Sequence, residues 1–292
     1  MRLVVEAPAK INLTLRVLDR RDDGYHELDT VFQAIDLWDT LTLDEDDELT
    51  LECEAPGLPT DGTNLVLRAA EALRVASGTT RGARIGLVKR IPMQGGLGGG
   101  SSDAAATLLG CARLWGLDDT PELLAPIGRS LGADVPFFLH GGTAQGSGRG
   151  DLVRPLEPAG ELPLVLGIPP FGLSTPEVFA RATRRLTLPS NSVSFSALFG
   201  HKWKWPNDLA VLVNDLEEGV FDAWPALRDF QRKMLAAGAS RAMLSGSGST
   251  VFGVFEDAGR RDRAVGRLSG EFENWVLQPS RTVDEGVRIR EG

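Results

Sequence analysis

Cysteine is almost absent from this sequence. Only Cys53 and Cys111 occur among 292 residues, which is too few for a disulfide framework or a cysteine-rich zinc site. We expect both to be buried thiols, Cys111 on the apolar face of a helix and Cys53 in a strand. The zinc-protease pattern is also missing, because no second histidine stands four residues after His26.

Long apolar runs and an excess of positive charge are missing too. No stretch is long enough to span a bilayer, and Glu6 and Lys10 interrupt the N-terminal region, so no secretory signal is visible and we expect a cytoplasmic protein. Lys and Arg number 31 against 40 Asp and Glu, a net charge of −9, which does not favour binding to nucleic acid or to an anionic membrane. The hydrophobic content of 42% is ordinary for a soluble globular chain.

Glycine, in contrast, is concentrated between a predicted strand and a predicted helix. Five glycines fall within residues 95–100, followed by Ser101, Ser102 and a helix expected over residues 103–114. We expect Ser102 and Asp103 at the N-cap and in the first turn. Such a loop offers free N–H groups and the positive end of a helix dipole to an anion, which predicts a phosphate site. A flexible linker is the alternative.

The segment fits neither of two well-known phosphate motifs. No Gly-Lys-Ser/Thr occurs, which excludes a Walker A loop, and no G-x-G-x-x-G spacing can be aligned to it, which excludes a dinucleotide fingerprint. The sequence therefore predicts a phosphate-binding loop of a third kind.

Two groups near the N-terminus are candidates for chemistry. Alternation predicts strands over residues 2–7 and 11–18, with Lys10 and Asn12 on the face opposite the apolar one. Lys10 is either a functional cation or an ordinary solvated lysine. The rings of Tyr25 and His26 suit stacking on a base and reading its edge, although they could equally cover the core from a loop.

Two further segments carry candidate groups. Asp134 lies within the apolar residues 131–139, where a carboxylate is costly unless it is paired; its plainer role is to cap a short helix at Pro136. Residues 245–249 alternate Ser and Gly between two predicted strands. They form either an ordinary hairpin turn or a second set of backbone donors for phosphate.

The second half of the chain repeats a mixed pattern after a Pro- and Gly-containing linker at residues 156–161. We predict strands over residues 162–168, 241–244, 250–255, 275–278 and 283–289, and helices over residues 176–185, 207–217, 225–237 and 258–268. Residues 187–206, which include Trp203 and Trp205, are irregular. The order of elements is that of a ferredoxin-like layer.

Three segments together resemble the motifs of the GHMP kinase superfamily: residues 8–13, 92–106 and 244–249. Residues 24–28 and 132–138 narrow the resemblance to the branch that acts on 4-diphosphocytidyl-2-C-methyl-D-erythritol, and the match runs essentially from end to end. It implies an α+β two-domain fold. Residues 1–157 would form an ATP-binding, catalytic domain like ribosomal protein S5 domain 2, and residues 158–292 a ferredoxin-like domain.

The resemblance also implies an activity and a set of site residues. The γ-phosphate of ATP would pass to the 2-hydroxyl of that substrate, giving the 2-phosphate and ADP, on the non-mevalonate route to isoprenoid precursors. The implied catalytic residues are Lys10 and Asp134. The implied ATP-binding residues are Pro92, Met93, Gln94, Gly95, Gly96, Leu97, Gly98, Gly99, Gly100, Ser101 and Ser102. The implied substrate-binding residues are Lys10, Asn12, Tyr25, His26, Asp134 and Phe179, with Phe179 facing His26 across the cytosine. Gly246, Ser247 and Gly248 would form a second loop on the phosphate side.

The resemblance further implies ATP as co-substrate and no tightly bound prosthetic group. We expect Mg²⁺ to arrive with ATP, because the sequence shows no dedicated set of metal ligands. The partners would be small molecules rather than nucleic acid or a membrane, and the chain a monomer or weak homodimer. One residue departs from the family: Gln94 stands where a small Gly or Ala is usual, so its side chain must either contact the nucleotide or point away from it.

Three other functions are compatible with parts of this pattern. A GHMP kinase for homoserine, mevalonate or a sugar would not need Tyr25 and His26. A non-catalytic nucleotide-binding protein would not need both Lys10 and Asp134. A nucleic-acid-binding protein would need a basic stripe, which this acidic chain lacks.

Overall fold

The computed structural model describes residues 1–182, 204 and 207–291. Its first half contains β1 (Arg2–Arg20), β2 (His26–Asp46), β3 (Leu49–Cys53), α1 (Leu65–Ser77), β4 (Gly82–Val88), α2 (Gly99–Trp115), α3 (Pro121–Leu131), α4 (Val135–His140), β5 (Thr143–Ser147) and β6 (Leu152–Pro155). Its second half contains β7 (Pro163–Ile168), α5 (Thr175–Ala182), a 3-10 helix (Asn207–Val211), β8 (Val213–Asn214), α6 (Glu217–Ala223), α7 (Pro225–Ala236), β9 (Arg241–Leu244), β10 (Val251–Val254), α8 (Ala258–Ser269), β11 (Val276–Arg281) and β12 (Arg288–Glu291).

The first sheet is built around one long strand. Its order is β12-β1-β2-β4-β3, with β5 paired to β2 and β6, and β8 paired to β1. The prediction of two strands in place of β1 is wrong, because Pro8 does not interrupt the pairing with β2; the register shifts between Pro8 and Ala9 instead. Proline is tolerated at such a bulge. One continuous strand therefore carries Lys10 and Asn12 into the interior.

Helix α2 lies at the centre of the first half and is buried on most of its surface. It begins at Gly99, four residues before the predicted start, and its N-cap is Gly98 in the left-handed conformation rather than Ser102. The hydroxyl of Ser102 is buried and donates to the carbonyl of Pro8 at 2.6 Å. Cys111 on this helix is buried as predicted, whereas Cys53 at the end of β3 is only partly buried.

The second sheet confirms the ferredoxin-like prediction. Its order is β11-β7-β10-β9, and the three pairings are all antiparallel. Two elements of the second half were wrongly predicted. Residues 207–217 do not form one helix, and the last strand, predicted over residues 283–289, spans only Arg288–Glu291 as β12 and pairs with β1 in the first sheet.

Two of the predictions fall partly or wholly outside the described residues. Helix α5 begins at Thr175 and is described to Ala182, so the predicted end at residue 185 lies beyond it. Trp203 and Trp205 also lie outside the described residues.

The two sheets share an apolar cluster. It contains Ile11 and Leu13 of β1, Leu164 and Leu166 of β7, and Phe252 of β10. The segment between β6 and β7 includes the predicted domain boundary at residues 157 and 158, which stays a prediction. Among the described residues, no helix combines the length and the apolar character needed to cross a membrane.

Candidate active site

A cleft of about 1400 Å³ lies where loops of the two halves meet. The predicted site residues that line it are Lys10, Asn12, Tyr25, His26, Pro92, Met93, Gln94, Gly95, Gly96, Leu97, Gly98, Gly99, Gly100, Ser101, Asp134, Phe179, Gly246 and Ser247. Ser102 and Gly248 do not line it. Most of the residues that the sequence singled out are therefore brought to one place.

The glycine-rich loop, residues 92–98, packs so closely on its neighbours that Gly96 and Gly98 have no room for a side chain. A Cβ on Gly98, which has φ 72°, would lie 2.7 Å from the ring of Phe138. A Cβ on Gly96, which has φ 74°, would lie 2.1 Å from the carbonyl oxygen of Ser245. Only glycine suits such positions. The loop ends at the N-terminus of α2, where free N–H groups and the helix dipole favour an anion.

The Gly/Ser loop, residues 245–249, binds directly to the glycine-rich loop. Ser245 Oγ donates to the carbonyl of Gly96 at 3.0 Å, and the amide of Thr250 donates to the carbonyl of Gly95 at 3.1 Å. This loop joins β9 to β10, so it is a hairpin connection as well as part of the cleft wall. The hairpin alternative is therefore confirmed, whereas the role of this loop as a second set of backbone donors for phosphate stays a prediction.

Lys10 is a buried cation at the floor of the cleft. It is only 4% exposed, so it is not a solvated surface lysine. Its Nζ donates to Asn12 Oδ1 at 2.8 Å and lies 3.5 Å from Asp134 Oδ2. Asn12 is held in turn, because its Nδ2 donates to Thr30 Oγ1 at 2.8 Å. The ammonium group is therefore fixed between an amide and a carboxylate.

Asp134 immediately precedes α4, and its side chain makes no capping hydrogen bond to that helix. The carboxylate is 33% exposed and pairs with Lys10. The capping role considered from the sequence is therefore not its role in the structure. A half-exposed carboxylate beside a buried ammonium can accept a proton from a substrate hydroxyl.

Aromatic rings stand at the other end of the cleft. The rings of His26 and Phe179 are stacked at a centroid distance of 5.9 Å and an interplanar angle of 26°. Tyr25 is exposed, with the guanidinium of Arg149 5.2 Å from its ring centroid, so it does not cover the core. Burial, and then the charge of Arg20, lower the pKa of His26. A neutral imidazole has one donor and one acceptor nitrogen.

Gln94 adopts a left-handed backbone conformation, with φ 55°. Its carbonyl accepts a hydrogen bond from the amide of Leu173 at 3.2 Å, and its side chain lies against Gly172, close enough that a Cβ there would be 2.7 Å from Oε1. The side chain that departs from the family pattern therefore packs on a loop of the second half, at the edge of the cleft.

Sequence reasoning missed a buried charge cluster behind the glycine-rich loop. Lys89 forms ion pairs with Asp39 and Asp103, and Asp39 also accepts the amide of Ile91 at 2.9 Å. Burial, reinforced by the nearby Asp39, raises the pKa of Asp103 to about 7 despite the opposing charge of Lys89. Burial lowers the pKa of Lys89, but the two carboxylates outweigh it and raise that pKa overall. Strand β2 also carries Asp29, Asp36 and Asp44, so nothing in the local sequence distinguished Asp39 from its acidic neighbours.

Comparison with known proteins gives consistent matches over the whole chain. The family described as GHMP kinases N terminal domain matches residues 64–142, and GHMP kinases C terminal matches residues 194–274. A 4-diphosphocytidyl-2-C-methyl-D-erythritol kinase from Salinibacter ruber is 44% identical, with 96% of this chain and 99% of the relative covered.

Solved structures give the same picture. A crystal structure of 4-(cytidine 5'-diphospho)-2C-methyl-D-erythritol kinase is 34% identical, with a TM-score of 0.78 over 97% of this chain and 100% of the other. A homoserine kinase from Cytophaga hutchinsonii has a TM-score of 0.74 but only 19% identity, over 99% of this chain and 97% of the other, so its likeness shows the fold alone. These matches confirm the predicted two-domain fold and the resemblance on which the kinase activity was predicted.

Proposed function

The chain belongs to the 4-diphosphocytidyl-2-C-methyl-D-erythritol kinase family of the GHMP kinases, and from that membership we infer that it transfers the γ-phosphoryl group of ATP to the 2-hydroxyl of 4-diphosphocytidyl-2-C-methyl-D-erythritol. It is a small-molecule kinase of the non-mevalonate route. The observation that carries the mechanism is the ion pair between the buried ammonium of Lys10 and the partly exposed carboxylate of Asp134, 3.5 Å apart.

Phosphoryl transfer depends mainly on positioning and on stabilisation of charge. The triphosphate lies along the glycine-rich loop, with its anionic groups at the N-terminus of α2. Asp134 accepts the proton of the 2-hydroxyl as that oxygen attacks the γ-phosphorus and ADP leaves. Lys10, already fixed by Asn12 at 2.8 Å, stabilises the charge on the transferred group.

The cytidine end of the substrate fits the aromatic part of the cleft. Tyr25 and Phe179 supply faces for stacking, and neutral His26 hydrogen-bonds to the edge of the base. The ring centroids of His26 and Phe179 are 5.9 Å apart, less than the two gaps of about 3.5 Å each that a base between them would need. The base therefore stacks on Phe179 and Tyr25 and turns its edge towards His26.

Mg²⁺ enters this proposal as an ion that arrives with ATP. Ser101 lines the cleft, and its hydroxyl is an oxygen ligand of the kind that Mg²⁺ prefers. When bound, the ion neutralises charge on the phosphates. Small molecules remain the proposed partners, and a monomer or weak homodimer the proposed assembly.

The first experiment is a substrate panel. We expect ATP consumption with 4-diphosphocytidyl-2-C-methyl-D-erythritol and none with homoserine or mevalonate, which have no base for Tyr25, His26 and Phe179 to hold. The uridine analogue should react far more slowly, because sites built to hydrogen-bond a ligand reject analogues that mismatch those groups. Turnover of homoserine or mevalonate in preference to the cytidyl substrate would refute the assignment.

The second experiment tests the base. Asp134→Asn keeps the shape of the side chain but removes its capacity to accept the proton, so turnover should fall by about 100–1,000-fold with little change in substrate binding. Turnover and the dissociation constant of the substrate are measured separately. A variant with near-normal turnover would show that Asp134 is not the base.

A further inference from the structure

A short segment of the second half connects the strand that carries Lys10 to the Gly/Ser loop. Strand β8 runs parallel to β1, with Leu15 opposite Asn214. The next residue, Asp215, accepts hydrogen bonds from Arg16 Nη1 at 2.8 Å and from the amide of Val17 at 3.0 Å. These contacts fix the backbone of Asn214 relative to β1.

The side chain of Asn214 then reaches across to the Gly/Ser loop. Its Nδ2 donates to the carbonyls of Leu244 at 3.0 Å and Gly246 at 2.8 Å, while its Oδ1 accepts the amide of Leu216 at 3.0 Å. Both amide hydrogens and the oxygen are used, so only one orientation of the side chain satisfies all three partners. No hydroxyl or carboxylate could make the same three bonds.

The part of the loop that Asn214 holds lies directly against Lys10 and Asn12. A Cβ on Gly246 would be 3.2 Å from Lys10 Nζ and 3.2 Å from Asn12 Oδ1. Because the hydrogen bond from Nδ2 is made to the carbonyl of Gly246 itself, it sets the direction of the peptide unit that leads into Ser247. That residue also lines the cleft.

A neighbouring side chain holds the start of the same turn. Glu217 Oε2 accepts the amide of Leu244 at 2.9 Å, and its Oε1 accepts Gln231 Nε2 at 3.0 Å. Leu244 is therefore bound at both backbone groups, whereas Gly246 receives its side-chain hydrogen bond from Asn214. Asn214 is therefore the side chain that binds the part of the loop next to Lys10.

We propose that Asn214 is a positioning residue of the kinase reaction: it holds the Gly/Ser loop against Lys10 so that the amides of this loop meet the phosphoryl group being transferred. The proposal rests on the proposed function for the identity of the reaction. It assigns a role to the Asn-Asp-Leu-Glu segment at residues 214–217, which the catalytic assignment leaves unused.

Two variants separate this role from general stability. Asn214→Asp keeps the shape but sets a carboxylate oxygen against two carbonyl oxygens, whereas Asn214→Ala only removes the bonds. We expect kcat to fall by up to about 100-fold in Asn214→Asp, the size of effect that a misplacement of about 1 Å can produce, and by less in Asn214→Ala. The KM for the cytidyl substrate should change little. The matched control is Glu218→Gln, an exposed side chain one residue beyond this segment, which should keep wild-type kinetics.

A binding measurement distinguishes the proposed positioning role from a purely structural one. The affinity of the wild-type enzyme for the non-hydrolysable analogue AMP-PNP, relative to ADP, reports contacts to the γ-phosphate. This ratio should fall towards one in both variants while ADP affinity stays the same. Equal ratios in wild type and variants, with kcat within about twofold, would overturn the proposal.

A measurement on the unmodified protein keeps the proposal testable if both variants fail to fold. The side-chain amide resonance of Asn214 in wild-type enzyme should shift when AMP-PNP binds and shift less with ADP. An identical response to the two nucleotides would contradict the proposal. Because neither binding measurement requires turnover of the cytidyl substrate, absence of that turnover in the wild type would count against the proposed function alone.

Discussion

His26 is held neutral at the pH at which it would meet its ligand. Burial and the charge of Arg20 lower its pKa below the ordinary value of 6.5, so the imidazole keeps an acceptor nitrogen until the solution becomes clearly acidic. Protonation would replace that acceptor with a second donor. The KM for the cytidyl substrate should therefore rise on acidification, beginning below pH 6.5.

The measurement is KM against pH from about pH 5 to pH 8, the range in which histidines titrate. His26→Gln, which can donate and accept but does not titrate, should have a higher KM that is flat over this range. The KM for ATP serves as the control, because His26 lies at the other end of the cleft. An equally steep acid limb in the variant would assign the pH dependence to another group.

Asp103 provides a prediction about stability. Its pKa rises from 3.8 in the unfolded chain to about 7 in the fold, chiefly through burial. The folded state therefore favours the protonated form, and the contribution of Asp103 to stability is greatest below 3.8 and is lost as pH rises through about 7. Asp103→Asn, which cannot ionise, should gain stability relative to wild type over that interval, by at least about 1 kcal/mol.

Denaturant unfolding at a series of pH values measures this effect. A matched control is Asp44→Asn, because the hydrogen bond from Arg2 lowers the pKa of Asp44. That carboxylate contributes its full stability above 3.8, so Asp44→Asn should instead lose stability relative to wild type as pH rises towards 3.8 and show no further change above it. If Asp103→Asn instead lost stability relative to wild type as pH rose, the ion pair between Asp103 and Lys89 would outweigh the effect of burial.

At the scale of elements, the glycine-rich loop and α2 act as one unit. The loop reaches the helix through Gly98, whose left-handed conformation and contact with Phe138 exclude a side chain. Gly98→Ala should lower kcat/KM for ATP by more than about tenfold and destabilise the fold by about 1–3 kcal/mol, the usual cost of a strained backbone. Steady-state kinetics and thermal unfolding measure the two effects.

Gly78→Ala is the matched control for this loop. Gly78 has nearly the same φ, 69° against 72°, but no atom lies within 4 Å of a Cβ built there, and it ends α1 away from the cleft. Gly78→Ala should lose about as much stability through backbone strain as Gly98→Ala does, while keeping wild-type kinetics. Equal kinetic losses in the two variants would mean that unfolding, rather than the loop, limits activity.

Some elements could be predicted from the sequence because their cause is local. Asn64 caps α1 by accepting the amide of Val66, as its residue type predicts, and the run of glycines identified the loop that lines the cleft before α2. The single strand β1, the position of β12 and the short β8 depend on pairing with distant residues, which local alternation does not encode. The same limit hid the Asp39–Lys89–Asp103 cluster, because its members are charged residues far apart in sequence.

At the scale of the whole molecule, the two halves share their interior. Phe252 of β10 is fully buried in the cluster that also contains Ile11 and Leu13 of β1, and β1 also carries Lys10. Two sheets that share one apolar cluster are expected to unfold together, unless opening one half alone costs less free energy than unfolding the whole molecule. Lys10, the proposed catalytic cation, therefore lies on a strand that packs against both halves.

Phe252→Ala tests that shared interior. Removing a buried phenyl ring should cost about 3–5 kcal/mol, and because the cluster is shared, the slowest-exchanging amides of β1 should lose protection by a similar amount to those of β7 and β10. Native-state hydrogen exchange measures each strand separately. Val75→Ala, at a side chain 73% exposed on α1, is the control and should leave all strands unchanged. Loss of protection confined to β7, β9, β10 and β11 would show two independent units, and the Lys10 floor of the cleft would then depend on the first half alone.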